Sequence, residues 1–107
     1  MNDVACTDSR DAESKMNGAM ATILEQHRTD RKFVDKLKKA QRAWLAFRQA
    51  QLEAIFPHDA SDYGTVLPMC RCGILAELTA NRTKELMQWT SGIEAGDVCT
   101  GSRAVKK

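Results

Sequence analysis

The sequence predicts an all-α fold: a three-helix assembly stapled by disulfides and followed by an irregular tail. Three segments carry apolar residues at the i, i+3, i+4 spacing that forms one face of a helix. Breaks containing proline, glycine and small polar residues separate them, and neither β-type alternation nor an internal repeat is present. We expect helices at about 9–27, 30–56 and 68–90 and a tail at 91–107, in one domain spanning 1–107.

The first helix is predicted from a capping residue followed by an apolar stripe. Asp8 or Ser9 can accept a hydrogen bond from the first turn. The apolar residues that share its face are Met16, Met20, Ile23 and Leu24. The pattern slips at 27–30, so the first two helices can form a hairpin.

The second helix carries the clearest stripe and is expected to be the longest and central one. Asp30 can cap its start, and Phe56-Pro57 ends it because the residue before a proline avoids helical geometry. Its apolar face comprises Phe33, Leu37, Ala40, Trp44 and Phe47, widened by Val34, Leu45, Leu52 and Ile55. We expect this face to point into the core and the charges between 31 and 42 to be solvated.

The third helix follows a loop of acidic, small and glycine residues at 58–67. Pro68 suits the first turn of a helix. The residues expected to face the core are Ile74, Leu75, Leu78, Arg82, Leu86 and Trp89. Gly92 and Gly96 then end the helix.

The four cysteines are an even set in a short chain, which is typical of disulfides formed in an oxidising compartment. Cys70 and Cys72 are two helical residues apart, a rotation of about 200°, so they should not pair with each other. Cys6 is then expected to bond one of them and Cys99 the other, and which bonds which stays open. The second bond requires the tail to return nearly straight along the third helix.

Four cysteines and two histidines could in principle bind zinc, but the spacing is wrong for it. Only Cys70 and Cys72 are close in sequence; the isolated residues are Cys6, His27, His58 and Cys99. We expect no metal and no other cofactor.

Composition limits the function further. A net charge of +2 is too small to give the strong positive field of a nucleic-acid binder. The sequence contains no run of about 18 apolar residues, so we do not expect a membrane-spanning helix. No spacing places a base beside a nucleophile, so we do not expect an enzyme. No signal peptide is visible, and the cysteines suggest that one has been removed.

Three segments resemble one known family. They are KKAQRAWLAFR at 38–48, YGTV at 63–66 and LTANRTKEL at 78–86. Together they are similar to the LprI-like family of bacterial lysozyme inhibitors, long described as a domain of unknown function. The resemblance implies a small, helical, cysteine-bearing protein, secreted or periplasmic, that binds another protein such as a lysozyme.

The residues that carry this family motif are Gln41, Arg42, Trp44, Phe47, Arg48, Gly64, Leu78, Thr79, Arg82 and Leu86. Relatives often have one further cysteine after the position of Asn17 and another after the 47–52 segment, and both are absent here. Their joint loss implies that they pair with each other in relatives. Cys6 is then left to meet the cysteines of the third helix.

The polar motif residues have two interpretations. Arg82 lies in the apolar stripe of the third helix. Its planar guanidinium group can donate hydrogen bonds to carbonyl groups or to a carboxylate there, and Glu53 and Glu77 are the candidate partners. One interpretation is a buried polar network that sets helix register; the other is a binding groove. Trp44 and Trp89 are likewise core aromatics or binding anchors.

Two function classes follow. The resemblance implies a lysozyme-binding protein, and the loop from Phe56 to Tyr63, with Asp59 and Asp62, is the expected contact for a cationic partner. The alternative is a structural or accessory envelope protein without a small-molecule site, whose stability should collapse on reduction. The oligomeric state stays open.

Overall fold

The structure is a computed structural model that describes residues 2–106. Its three helices are α1 (Asn2–Gln26), α2 (Arg31–Ile55) and α3 (Leu67–Leu86). Short 3₁₀ turns occur at Ala60–Asp62, Gly64–Val66 and Met87–Trp89. No strand forms within the described residues beyond one isolated bridge between Ile93 and Val105. The predicted all-α, three-helix fold is confirmed.

The ends of the helices differ from the expected ones mainly in α1. This helix begins at Asn2 rather than near residue 9, so Asp8 lies inside it and does not cap it. Residues 2–8 contain no glycine or proline, and Cys6 holds the segment against α3, so the helix continues there. Asp30 does cap α2, with a carboxylate oxygen 3.1 Å from the amide nitrogen of Phe33.

The contacts between helices define their directions. Cys6 near the start of α1 is bonded to Cys72 near the start of α3, and Ile23 and Leu86 meet in the core near the ends of these helices. α1 and α3 therefore run parallel, and they lie closest together, while α2 runs antiparallel to both. α2 is not the longest helix, because α1 and α2 each have 25 residues. It is not the central helix either, because α1 and α3 pack most closely on each other and α2 lies beside them. The molecule measures 50 × 24 × 23 Å.

The hydrophobic core lies toward one end of this elongated molecule. Its buried members are Met16, Met20, Ile23, Leu37 and Leu86. Phe33, Trp44 and Trp89 pack against them. We call this half, residues 15–43 and 78–106, the hairpin end. The other half, residues 4–14 and 44–77, is the disulfide end, and its buried apolar side chains are Leu52 and Leu67.

One disulfide forms, between Cys6 and Cys72. This is one of the two pairings that the sequence left open for Cys6, and Cys70 and Cys72 are indeed not bonded to each other. The expected second bond is wrong, because Cys70 is a half-buried free thiol and Cys99 an exposed one.

The path of the tail explains why Cys99 does not reach Cys70. Residues 92–106 fold onto the end of α3: the Ala104 amide donates to the Gln88 carbonyl at 3.2 Å, and the Lys106 amide donates to the Ile93 carbonyl at 2.8 Å. Cys70 lies at the opposite end of α3, about 24 Å away along the helix. The tail is therefore a compact turn rather than a straight return strand.

Gly92 makes this turn possible. Its φ is +89°, and a Cβ there would lie 2.8 Å from the amide nitrogen of Lys106. The indole nitrogen of Trp89 donates to the Ser102 hydroxyl at 2.9 Å, which attaches the tail to the 3₁₀ turn after α3.

Candidate functional site

A layer of polar side chains crosses the middle of the bundle. All three helices contribute to this polar layer, whose members are Glu13 of α1, Gln41, Trp44 and Arg48 of α2, and Thr79 and Arg82 of α3. Five of the six are polar and lie at spacings that bring them to the inner side of a helix. The layer separates the hydrophobic core from the disulfide end.

Arg48 joins all three helices. Its guanidinium donates to the carboxylate of Glu13 and, at 3.0 Å, to the hydroxyl oxygen of Thr79. The Arg48 side chain is 18% exposed and that of Glu13 40%. Thr79 is only 1% exposed, so its hydroxyl depends on Arg48 for a partner from another helix.

Arg82 makes the second connection between α2 and α3. Its Nε donates to Oε1 of Gln41 at 3.0 Å, and Nε2 of Gln41 lies 3.3 Å from the sulfur of Met16 in α1. A further nitrogen of Arg82 donates to Glu85 at 3.2 Å. Arg82 and buried Gln41 thereby link α3, α2 and α1 in sequence.

The expected partners of Arg82, Glu53 and Glu77, are wrong. Glu77 is five residues before Arg82, a rotation of about 140° around the helix, so it faces elsewhere. Glu53 is exposed and lies toward the disulfide end. Glu85 is three residues after Arg82, on the same side of α3, and takes the role instead.

Trp44 lies between the two guanidinium groups. The Cζ of Arg48 is 5.2 Å from a ring centroid of Trp44, and the Cζ of Arg82 is 6.0 Å from it. Both distances suit cation–π attraction to the half-buried indole. Glu13 and Glu85 offset the two positive charges. This arrangement explains why the family motif combines Trp44 with Arg48 and Arg82.

The polar layer favours the register-setting interpretation over the binding-groove interpretation. Every buried side-chain nitrogen or oxygen in the part of the chain that the structure describes has a hydrogen-bond partner. Moving any helix by one residue would rotate its polar group by about 100° and leave a buried group unpaired. The layer can therefore specify how the three helices align.

Two other motif residues of α2 point away from the bundle. Arg42 is exposed, and Phe47 is 52% exposed. Ala40, which was also expected in the core stripe, is exposed as well. The predicted orientation of α2 is wrong for Ala40 and Phe47, because Gln41 and Arg48 take the inward positions beside them.

The remaining motif residues lie outside the layer. Leu86 is fully buried in the core, and Leu78 is half-buried on α3. Gly64 is exposed in the loop between α2 and α3. Its φ of +77° lies in the left-handed region, which favours glycine.

The loop expected to meet a cationic partner is well ordered by its own contacts. The rings of Phe56 and Tyr63 meet edge to face with centroids 5.3 Å apart. The Tyr63 hydroxyl oxygen accepts a hydrogen bond from the amide of His58 at 3.1 Å. Asp59 and Asp62 are exposed on this framework. The loop therefore presents two fixed carboxylates at the tip of the disulfide end.

Sequence reasoning missed a surface groove between α1 and α3 near the hairpin end. Its volume is about 370 Å³, and its walls are mostly apolar. The lining residues are Lys15, Gly18, Ala19, Thr22, Thr83, Met87 and Thr90. A Cβ at Gly18 would meet no atom within 4 Å, so a side chain there would extend into open space. The small residues at 18, 19 and 22 are the feature of the sequence that could have indicated this groove.

The described residues form neither a metal-binding cluster nor a membrane-spanning helix. Among the side chains that the structure describes, no group of three or more histidine, cysteine, aspartate or glutamate residues is placed to hold a metal ion. No helix of the described residues is long and apolar enough to cross a membrane.

The fold and the site define a class of protein: a small disulfide-bonded helical domain. It has three helices, a disulfide between the parallel helices α1 and α3, and a hydrogen-bonded polar layer. The chain belongs to the LprI lysozyme-inhibitor family: the model of that family, described as lysozyme inhibitor LprI, matches residues 1–86. The resemblance of the motif segments is thereby confirmed. The match ends at the last residue of α3, so the folded tail lies beyond it.

A curated relative supports the assignment. An uncharacterised protein of Rhizobium meliloti (strain 1021) is 33% identical over an aligned length of 105 residues, and the match covers 88% of this chain and 74% of the relative. No solved structure matches the chain significantly.

Proposed function

We propose that this protein is a secreted or periplasmic protein-binding module that inhibits a lysozyme. The observation that carries the proposal is membership of the lysozyme-inhibitor family over residues 1–86. The Cys6–Cys72 disulfide supports an oxidising compartment, because such bonds persist mainly outside the cytosol. A role as an inhibitor also agrees with the expectation that the chain is not an enzyme.

The distribution of charge supports a cationic partner better than the net charge of +2 does. Apart from Glu13 and Arg48 of the polar layer, the disulfide end has six carboxylates and two guanidiniums. The carboxylates are Asp8, Asp11, Glu53, Asp59, Asp62 and Glu77, and the guanidiniums are Arg10 and Arg71. All six carboxylates are exposed, and none forms an ion pair within the described residues.

The opposite end is basic. The hairpin end has twelve lysine or arginine residues and six carboxylates within 15–43 and 78–106. Three of those six, Glu25, Glu85 and Glu94, are in ion pairs. The small net charge therefore conceals an acidic end and a basic end about 50 Å apart. A cationic lysozyme would be attracted to the disulfide end, where the Phe56–Tyr63 loop lies.

The direct test is a cell-wall lysis assay in which the oxidised protein is titrated into several lysozymes of different origin. Inhibition should reach completion at one equivalent for at least one of them, in the micromolar range or below. Asp59→Asn with Asp62→Asn should weaken inhibition by roughly thirtyfold, since two charge-assisted contacts of about 1 kcal/mol each are lost.

A matched control removes the same charge elsewhere. Glu25→Gln with Asp35→Asn changes two exposed carboxylates of the hairpin end and should leave inhibition within about twofold of the starting protein. If the correctly folded protein inhibits no lysozyme, the proposed function is wrong. The result would then favour the alternative, a structural or accessory protein of the envelope.

A further inference from the structure

The outer face of α2 is more apolar than a solvated helix face needs to be. Phe47 stands there 52% exposed, although it belongs to the family motif. Four alanines share the face, so that the complete set, here called the outer seam, is Ala40, Ala43, Phe47, Ala50 and Ala54. All five are exposed, while polar Gln41 and Arg48 occupy the inner side of the same helix.

The spacing of the outer seam is that of a helix-pairing surface. Its members follow one another at intervals of three, four, three and four residues, the repeat that keeps a stripe facing a partner helix. On a helix they lie within an arc of about 80° and extend over about 21 Å. Alanine is small enough to let two helix backbones approach closely around the one large side chain. The seam is therefore shaped for another helix rather than for a flat surface.

We propose that the outer seam binds the outer seam of a second copy of this chain, with the two α2 helices antiparallel. In this arrangement Phe47 of each protomer packs against Ala43 of its partner, and Ala40 packs against Ala50. The contact is two-fold symmetric, because each residue pair occurs twice. Ala46 meets its own counterpart beside the axis.

Charge complementarity selects this arrangement. The register that pairs Phe47 with Ala43 also places Lys39 of one protomer beside Glu53 of the other, on the flank where antiparallel helices pair their charges. Both side chains are exposed, and neither has an ion-pair partner within its own described chain. Of the two neighbouring symmetric registers, one places Glu53 against Ala46 and loses both ion pairs. The other keeps a lysine, Lys32, beside Glu53 but places the charged Lys36 against Phe47 on the seam.

The charge of the whole molecule selects the same orientation. The two-fold axis lies between the two seams at the level of residue 45 along α2, close to the polar layer at the middle of the bundle. Each acidic disulfide end therefore lies along the basic hairpin end of the partner. A parallel pair would place like charges side by side and would be repelled.

Sedimentation velocity of the oxidised protein tests the proposal without any lysozyme. Because the seam is short, we expect a transient dimer, with the mass rising from 11.9 kDa toward twice that value between about 10 µM and 1 mM. Small-angle scattering should show a dimer whose length stays near the 50 Å of the monomer. A monomer up to about 1 mM, or an end-to-end dimer of doubled length, contradicts the proposal.

Substitution of Phe47 separates the seam from the rest of the surface. Phe47→Glu should abolish the dimer without altering helical content or thermal stability, since the side chain is already exposed. Val66→Glu is the matched control, because Val66 is equally exposed, at 52%, but lies in the loop outside α2. Equal loss of the dimer in both variants overturns the assignment of the seam.

A charge swap tests the register. Lys39→Glu should raise the dimer dissociation constant by roughly tenfold, because two ion pairs become two repulsions. Lys38→Glu makes the same change on the neighbouring residue, which points away from the seam, and should have an effect of less than about twofold. Combining Lys39→Glu with Glu53→Lys should restore the dimer to within about threefold. Failure of the swap to restore it overturns the antiparallel register.

A lysozyme could also bind the outer seam, and the same variants distinguish this outcome. If Phe47→Glu abolishes lysozyme inhibition while the unmodified protein is monomeric, the occupant is the enzyme and the dimer is overturned. The dimer assay contains no lysozyme, so loss of the proposed inhibitory function leaves its result unaffected.

Discussion

The two ends of the bundle are held together by different means. At the hairpin end, Met16, Ile23 and Leu86 are almost completely buried and pack against one another. At the disulfide end, only Leu52 and Leu67 are buried apolar side chains within the described residues, and the Cys6–Cys72 bond joins α1 to α3. Among the described residues, buried apolar side chains are concentrated at one end of this elongated bundle. A covalent bond takes the place of the missing core at one end.

The disulfide contributes about as much to stability as two buried side chains of the core. Each large apolar side chain that is fully buried contributes about 2 kcal/mol to stability. The disulfide spans 66 residues of sequence, and closing a loop of that length contributes about 4 kcal/mol by restricting the unfolded chain. The polar layer lies between the two ends, and we propose that it specifies how the three helices align.

Removing the disulfide should have the largest effect. Cys6→Ser with Cys72→Ser should lower the free energy of unfolding by about 4 kcal/mol, measured by urea denaturation. Hydrogen exchange should accelerate first in 4–14 and 67–77, because the core of the hairpin end stays packed. Uniform acceleration along all three helices would contradict the division into two ends.

Opening a cavity in the core should have the next largest effect. Leu86→Ala should cost about 3 kcal/mol, because Leu86 is fully buried among Met16, Ile23 and Leu37. The same truncation at Leu52, which is 8% exposed at the disulfide end, should cost less, about 2 kcal/mol. Equal losses measured by denaturation would show that the two ends are packed equally well.

Breaking the polar layer should have an intermediate effect. Arg48→Ala should cost about 2 kcal/mol, because it leaves the buried hydroxyl of Thr79 without its partner on α2. Adding Thr79→Val should recover part of that loss, since it removes the unpaired hydroxyl. Arg42→Ala, a change at an exposed arginine of the same helix, should cost less than about 0.5 kcal/mol. Strictly additive losses in Arg48→Ala and Thr79→Val would contradict the proposed link.

Changing the tail should have the smallest and most local effect. Gly92→Ala should cost about 1 kcal/mol, because alanine disfavours the observed φ and its Cβ would approach the Lys106 amide. Amide chemical shifts should change at 88–106 and stay the same in α1. Changes that extend into the core of the hairpin end would show that the tail is coupled to the bundle.

Much of the fold could be predicted from local signals. Asp30 and Phe56-Pro57 have short-range effects on the backbone, and the structure places the ends of α2 beside them. The start of α1 was wrong because a good capping residue at Asp8 does not oblige a helix to begin there. The bond from Cys6 to α3, which keeps the helix intact before Asp8, is a long-range contact.

The orientation of α2 shows the limit of reading hydrophobicity along one helix. Phe47 is apolar and Arg48 is charged, so the pattern predicts the first inside and the second outside. The structure reverses them because Arg48 finds Glu13 and Thr79, which are distant in sequence and become neighbours only after folding. Burial of a charged group depends on such partners, and a single-helix pattern cannot reveal them.

The cysteines show the same limit. Helical rotation was enough to exclude a bond between Cys70 and Cys72, and the structure agrees. The maximum length of the tail only showed that Cys99 could reach Cys70. It carried no information on the hydrogen bond from the Ala104 amide to the Gln88 carbonyl, which holds the tail against the other end of α3.

The bond between Cys6 and Cys72 makes a closed covalent ring that contains both inter-helix connections. A protease that cuts once in the turn at 27–30, or once in the loop at 56–66, opens this ring but releases no fragment. The two pieces remain joined through the sulfur atoms and packed in the same bundle. Such a nicked molecule should migrate as one species until it is reduced. Resistance to proteolysis in a protease-rich compartment can thus come from the connectivity of the chain as well as from its folding free energy.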